Sequence, residues 1–403
     1  MSPMYTRRQV LLIKPEYTEG TDPTPTATNI TGTSQVGGST TTIKLAAGSS
    51  AVNDYYNHMI IDITTAANTH NLREITDYVG SSLIATIAPA LAAAPDSVAY
   101  TILSSAILIR DLNFTPNPLT ETRDYLRDTW SPLADLITPQ TSTVTFSTEL
   151  KGYSLVAGQS FDTTSTTGSF PFLPEIHAAM LGCKMVVTNA GTTSRTVTYA
   201  PVTADTNAVT VTLYAYKDGV LHKVTGASGN ITNMTWTAGM IAKIDFEFRG
   251  IFNSATTTAL PTTNTLSVVP PACKSAGLYV GGVGTYVVQE ITATLGNTLA
   301  DRPDINQSSA IKGVRVSGRV PTGTFNPESV TTVADFWNVW EAGTAAALTA
   351  LIGSTTHNKI GLNFANIQYT NVGYGDRDGI MTHDIPFKCT GSTDDEFKIY
   401  GQS

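Results

Sequence analysis

The sequence predicts an all-β fold with a few short helices, and three observations carry that expectation. Threonine dominates the polar residues: 65 Thr stand among 403 residues, more than the 24 Lys+Arg and 32 Asp+Glu together. Thr is β-branched and packs well on a pleated surface, so hydroxyls rather than charges polarise this chain. Apolar and polar residues also alternate, as in STVTFSTELKG, where Val144, Phe146 and Leu150 share one face and Thr145, Ser147 and Glu149 the other. The pattern recurs in AKIDFEFRG, with Ile244, Phe246 and Phe248 set against Lys243, Asp245, Glu247 and Arg249. Finally, Asp218-Gly219 between two Thr/Val/Tyr-rich runs is a strong hairpin signal.

Taken in order, the chain opens on an arm, residues 1–30. Residues 31–104 are poor in charge and rich in Ser, Thr, Gly and Ala, with short strands expected at IKLAA, MIIDITTA, REITDYVG, LIATIAP and AYTIL. Regular short strands with turn signals fit a small β-barrel or sandwich. The stretch separates the arm from the strand starting near Ala106, so it reads as a module inserted at an exposed loop. Ile43 with Leu45, and Ile61 with Ile63, point to a small core of its own. On that reading the module projects outward and is dispensable for the rest of the fold.

The remainder repeats one order of elements. Residues 105–260 run strand (ILIRDLNFTP), long polar loop, strand (TVTFSTELKG), helix (Pro174–Gly182) and further strands ending in KIDFEFRG. Residues 261–403 run VVQEITATLG, loop, VRVSGRVPTG, helix (Thr331–Gly343) and strands ending in THDIPFKCT. Each helix has a Pro or Thr start and a Gly stop. The second has an expected apolar face of Val333, Phe336, Val339 and Trp340. The repeated order predicts two tandem β-sandwich units joined near Ala259–Pro271. Thr115–Pro139 and Gly296–Gly313 are expected to be long loops without secondary structure.

Function classes are excluded more easily than assigned. A net charge of -8 argues against wrapping nucleic acid by neutralising phosphates. Cys183, Cys273 and Cys389 lie far apart, which rules out a disulfide scaffold and the common zinc modules. No apolar stretch is long enough to span a bilayer, and the few apolar residues after Arg7-Arg8 make no signal peptide, so no membrane partner is expected. The six histidines form no ligand spacing, and His383 beside Asp384 reads as a strand histidine next to a surface carboxylate. VGGVGTYV lacks the ending of a phosphate loop, and GDRDG lacks the bidentate Glu of a calcium loop. The expectation is therefore no catalytic, metal or cofactor site, but a structural or assembly protein.

One resemblance sharpens this. The arm YTRRQVLLIKPEYTEGTDPTPTATN resembles the opening of the tail tube (major tail) proteins of long-tailed bacteriophages, with its Arg-Arg-Gln, apolar run, Lys-x-Glu and Gly-Thr-Asp-Pro-Thr-Pro-Thr. The likeness continues in TVTYAPV, in YAYKDGVLHKVTGASGNITNMTWTAGMIAKIDFEFRGIF with ALPT, and in YTNVGYGDRDGIMTHDIP. It spans the chain except the module, where family members pass directly into the strand ILIRDLNFTP. The resemblance implies a β-sandwich flanked by a helix, assembled in the host cytoplasm into stacked rings that form the virion's hollow tail tube. Implied partners are further copies of the chain, the tape-measure protein and viral DNA in the lumen, and tail terminator and baseplate or tip proteins. Two units per chain predict trimeric rings. The long loops would reach the next ring, and the arm could add a strand to a neighbour's edge. A bore that passes DNA should be net acidic, since a basic wall would bind phosphates and stall transit. The candidates are Glu149, Asp245, Glu247, Glu290 and Asp384. The alternative is a capsid decoration or tail-fibre adhesin binding host glycan, an elongated free oligomer instead of a tube.

Overall fold

A computed structural model describes residues 4–66, 68–164, 167–190, 195–205, 209–281, 286–330 and 334–403. It is 52% strand and 3% helix, with a large antiparallel sheet and a curled half-barrel sheet. The arm forms β1 (Gln9–Pro15). Next come β2 (Ile30–Thr33), β3 (Gln35–Ser39), β4 (Thr42–Lys44), β5 (Ile60–Ala66), β6 (Thr69–Val79), β7 (Ile84–Ala88) and β8 (Ala99–Ile102). Then follow β9 (Ala106–Ile107), β10 (Arg110–Glu121), β11 (Leu136–Glu149), β12 (Ser160–Phe161) and α1 (His177–Gly182). β13 (Met185–Ala190), β14 (Thr196–Pro201), β15 (Val211–Lys217), β16 (Val220–Thr237), β17 (Lys243–Phe252) and β18 (Thr256–Thr257) complete the first half. The second half carries β19 (Tyr279–Val280), β20 (Val288–Thr294), β21 (Asn297–Pro303), β22 (Ile311–Arg319), β23 (Thr322–Pro327) and α2 (Ala334–Glu341). β24 (Ala346–Ile352), β25 (Lys359–Tyr369), β26 (Gly373–Arg377), β27 (Ile380–Thr390) and β28 (Lys398–Gln402) close the chain.

The alternating patterns become strands that bury the expected faces. Val144, Phe146, Ile244, Phe246 and Phe248 are all buried, and the rings of Phe146, Phe246 and Phe248 lie 5.3–6.1 Å apart. Room for them comes from small partners. Gly229 lies opposite Phe248, and Gly323 opposite Phe387, where a Cβ would overlap the ring in either case. Asp218 and Gly219 both adopt positive φ, 37° and 100°, and turn β15 into β16 as a tight hairpin requires. One apolar core runs through both halves and passes the joint through Met234, Trp236, Ile291 and Ala293.

Strand pairing follows the same order in each half. β10–β11–β17–β16–β15–β1 is hydrogen-bonded in the first. β20–β23–β27–β25–β24–β19 is hydrogen-bonded in the second. A helix follows β11 in one half and β23 in the other. The halves join where β16 pairs with β20 and β14 with β28.

Several expectations need correction. Pro174–Ile176 precede the first helix as a turn, so α1 begins only at His177. In α2, Phe336 is buried as expected, but Trp337 packs on the core while Trp340 is 39% exposed. Val333 and Gly282–Thr285 of VGGVGTYV lie outside the described residues. Both long loops are shorter than expected: residues 122–135 and 304–310 remain without strand or helix, but the flanking segments do not. Thr115–Glu121 pair with Leu136–Thr143 in an extended hairpin, and β21 pairs with β22. The Thr-rich sequence gives both segments strand propensity that their polarity masked. Nor is the arm left free for a neighbour. β1 pairs with β15 along its whole length, and with β9.

The module is a curled antiparallel sheet in the order β2–β8–β5–β6–β7–β4–β3. Its ends meet as expected: Thr31 pairs with Thr101, and Ser104 N–H donates to Asn29 at 2.9 Å. Ile43, Leu45, Ile61 and Ile63 are buried in a cluster of the module's own. Its separation is incomplete, however. Ile60, Leu72 and Leu103 belong to the main core, and β12 of the first half pairs parallel with β6. Strand alternation decides this: residues on the other face of β5 and β6 must be buried against something, and the segment around α1 supplies it.

Candidate functional site: a continuous sheet face and the arm that braces it

Eight strands form one continuous antiparallel sheet, in the order β10–β11–β17–β16–β20–β23–β27–β26. Successive side chains on a strand point to opposite faces, so one face holds the core and the other is polar. Register carries this polar face unbroken across the joint. Glu149 lies opposite Lys243, Lys243 opposite Thr235, Thr235 opposite Thr292, and Thr292 opposite Thr324. All five candidate carboxylates, Glu149, Asp245, Glu247, Glu290 and Asp384, lie on it. Strands more than 200 residues apart in sequence thus bring them to one surface.

Charge on this face is mixed but not evenly balanced. Arg110 (opposite Ser147), Lys243, Arg249, Arg377 and Lys388 share it with the acids. Arg249 is held by Asp301 at 2.8 Å, and Arg377 reaches Glu328 at 3.5 Å, so Arg110, Lys243 and Lys388 are the cations of this face left without an ion pair among the described residues. Glu149 bonds the buried Lys151 ammonium at 3.0 Å, and Glu290 accepts from the Thr237 hydroxyl at 2.8 Å. Asp245 accepts from Asn233 at 3.3 Å. Hydroxyls are frequent on the rest of the face: Thr292 and Thr324 bond each other at 2.7 Å.

The arm braces the opposite end of β16. Glu16 is buried, and its carboxylate accepts from Gly20 N–H (2.7 Å), Gly226 N–H (2.8 Å), the Thr210 hydroxyl (2.7 Å) and the Thr212 hydroxyl (2.5 Å). Gly226 adopts φ 58°, a conformation that favours glycine and turns its N–H toward Glu16. Asp22 accepts from Tyr214 at 2.5 Å and Lys223 at 3.1 Å. Lys14 donates to Pro23 O at 2.9 Å, and its ammonium lies 3.7 Å from the centre of the Tyr55 ring in the module. Burial outweighs the nearby Asp22 and brings the Lys14 pKa down to about 7. Thr210, Thr212, Tyr214, Lys223 and Gly226 lie roughly 200 residues from the arm, so the Lys-x-Glu and Asp-Pro pattern does not reveal its role locally.

A buried polar seam between the module and α1 was also invisible in the sequence. Arg73 is fully buried; its guanidinium donates to the carbonyls of Leu72 and Thr167. Asp62 accepts from His70 at 2.7 Å and from the Tyr153 hydroxyl at 3.0 Å. Glu74 faces His58 at 2.9 Å and His177 at 3.7 Å. Burial opposes ionisation of Glu74, but the two histidines outweigh it and hold its pKa at about 2. Nearby, His357 stacks on Phe161 at 3.6 Å and bonds Ser169 O at 3.1 Å, and burial lowers its pKa to about 3.

An acid-sensitive fold follows. The unfolded chain takes up a proton at His357 below about pH 6.5 that the folded chain refuses, so the contribution of His357 to stability is full above that pH. It falls by about 1.4 kcal/mol per pH unit on acidification toward pH 3. Glu74 has the same sign, its contribution being lost from about pH 4.5 downward. Denaturation midpoints measured at pH 7, 5 and 4 should drop steadily, and His357→Phe should flatten the slope between pH 6.5 and 5. A wild-type midpoint independent of pH over that range would contradict the assignment.

No group of His, Cys, Asp and Glu able to hold a metal occurs among the described residues, and all three cysteines are free and buried. The edge strands β10 and β26 of this hydroxyl-rich sheet have no further partner among the described residues, and such open edges template pairing with another chain. Comparison with known families agrees: the family model described as "Phage tail tube protein" matches residues 6–389, and the chain belongs to that family. It is thus a structural, non-enzymatic component of the phage tail tube, part of the virion tail, and it self-assembles there. A search of curated proteins found no match.

Proposed function

We propose that three copies of this chain close into a ring whose bore is lined by the eight-strand polar face, and that rings stack into the conduit for DNA. The carrying observation is the repeated pairing order, with both halves contributing strands to one sheet. It supports tandem tail-tube sandwich units at residues 105–260 and 261–403, so that three chains supply six units. The tape-measure protein occupies the bore before DNA does, and terminator and baseplate or tip proteins cap the ends. Glu149, Asp245, Glu247, Glu290 and Asp384 make the wall net acidic, and hydroxyls spare passing phosphates strong contacts. A Debye length of about 8 Å at physiological salt lets these charges act near the DNA surface.

The helices and the module at 31–104 lie on the other side of this sheet and face outward. Stacking falls to the β10–β11 hairpin, whose Leu126 and Trp130 are fully exposed, because the second hairpin is engaged at home: Arg302 and Arg315 bond Glu19 at 2.9 and 2.7 Å. A non-closing head-to-tail contact of this kind builds a filament. Mass measurement of disassembled rings, with tube symmetry from electron microscopy, tests the proposal. Three chains per ring are expected, with the five carboxylates toward the lumen. Sixfold symmetry with one chain per repeat, or these residues outside a basic lumen, would overturn it.

A further inference from the structure

The junction between the two halves exists once inside the chain, yet each half carries both of its parts. Equivalent positions follow from the pairing registers. Phe146 opposite Phe246, and Val144 opposite Phe248, correspond to Phe325 opposite Ile385, and Gly323 opposite Phe387. Stepping outward, Met234 opposite Ile244 corresponds to Tyr374 opposite His383, and Ala293 opposite Gly323 corresponds to Phe114 opposite Val144.

Inside the chain, Met234–Thr237 pair antiparallel with Ala293–Glu290. Their counterparts, Tyr374–Arg377 on β26 and Asp111–Phe114 on β10, have no strand on the corresponding edge among the described residues. Burial records the difference: Met234 is 1% exposed, whereas Tyr374 is 60% exposed even though its ring packs 5.7 Å from Trp337. Charge fits as well. Thr237 donates to Glu290 across the internal junction, and the counterparts of that pair are Arg377 and Asp111, of opposite sign.

We infer that β26 of one copy pairs antiparallel with β10 of the next. Tyr374 then lies opposite Phe114, Gly375 opposite Asn113, and Arg377 opposite Asp111 of that neighbour. Unpaired edges template such addition, and the internal joint fixes its register. The inference rests on the ring proposal and gives that ring its contact.

The test is the double variant Gly375→Cys/Asn113→Cys, assembled and then oxidised. Chains linked covalently into closed trimers, released by reductant, are expected on a denaturing gel. The shifted pair Gly373→Cys/Asn113→Cys should stay monomeric on the same gel. Buried Cys183, Cys273 and Cys389 leave the readout clean. Three-chain rings without the in-register link would overturn the junction and leave the ring standing. Six-chain rings with the link would do the reverse. Should the cysteine variant not assemble, charge reversal decides. Arg377→Asp and Asp111→Lys are each expected to cut tube yield at least tenfold, with the double variant restoring it; a double variant no better than the singles overturns the inference.

Discussion

Replacing Glu16 with alanine is expected to unseat the N-terminal arm and lower stability by about 2–5 kcal/mol, because it leaves the buried Gly226 N–H and the half-buried Gly20 N–H without an acceptor, each costing about 1–3 kcal/mol. The buried Thr210 and Thr212 hydroxyls lose the same acceptor. Glu16→Gln keeps one acceptor oxygen and should lose about half as much. The effect reaches further than one strand end. Gly226 interrupts the pairing of β16 with β15, and β16 carries the joint with β20 at its other end. Chemical denaturation of the wild type and both variants measures the loss, and tube yield should fall in the same order. A midpoint unchanged in Glu16→Ala would show that the arm is held by β1–β15 pairing alone.

Excising the module is expected to have the largest effect of all. Replacement of residues 31–104 by a short Gly/Ser linker should give aggregates or a partly unfolded chain instead of thinner tubes. The sequence suggested the opposite, since the ends meet and the module has its own cluster. The structure adds Ile60, Leu72 and Leu103 to the main core, and Arg73, Glu74 and Asp62 to a buried seam with residues around α1. Leu72→Ala alone should cost about 2–5 kcal/mol, in line with other buried leucines. Excision removes three such side chains and uncovers the apolar surface they covered. Electron microscopy decides: tubes of unchanged bore and thinner outline would restore the module as an independent decoration.

Much of the fold was legible in local pattern. The alternation in TVTFSTE and KIDFEFRG fixed which residues of β11 and β17 face the core, because a period of two leaves only one burial solution. Asp-Gly fixed the β15–β16 turn, since both turn positions need positive φ. The five carboxylates were legible as residues on the polar side of long strands. The order of elements was legible too, strand through helix to strands, in each half.

What the sequence could not carry was partnership at long range. Nothing local says that Glu16 meets Thr210, Thr212 and Gly226, or that His357 stacks on Phe161. The two polar stretches read as loops because they lack alternating apolar residues, yet β10 with β11, and β21 with β22, gain their order from cross-strand pairing. The module's second buried face was equally hidden. Short strands reveal that they have an inside, but only the packed structure shows whether that inside is theirs alone. Composition, periodicity and turn chemistry therefore determined the all-β class, the core faces and the repeated order. Register across β16 and β20, the bracing of the arm and the fusion of the module to the core were decided by tertiary structure, because hydrogen-bond partners and shared burial are properties of pairs of segments, not of either segment alone.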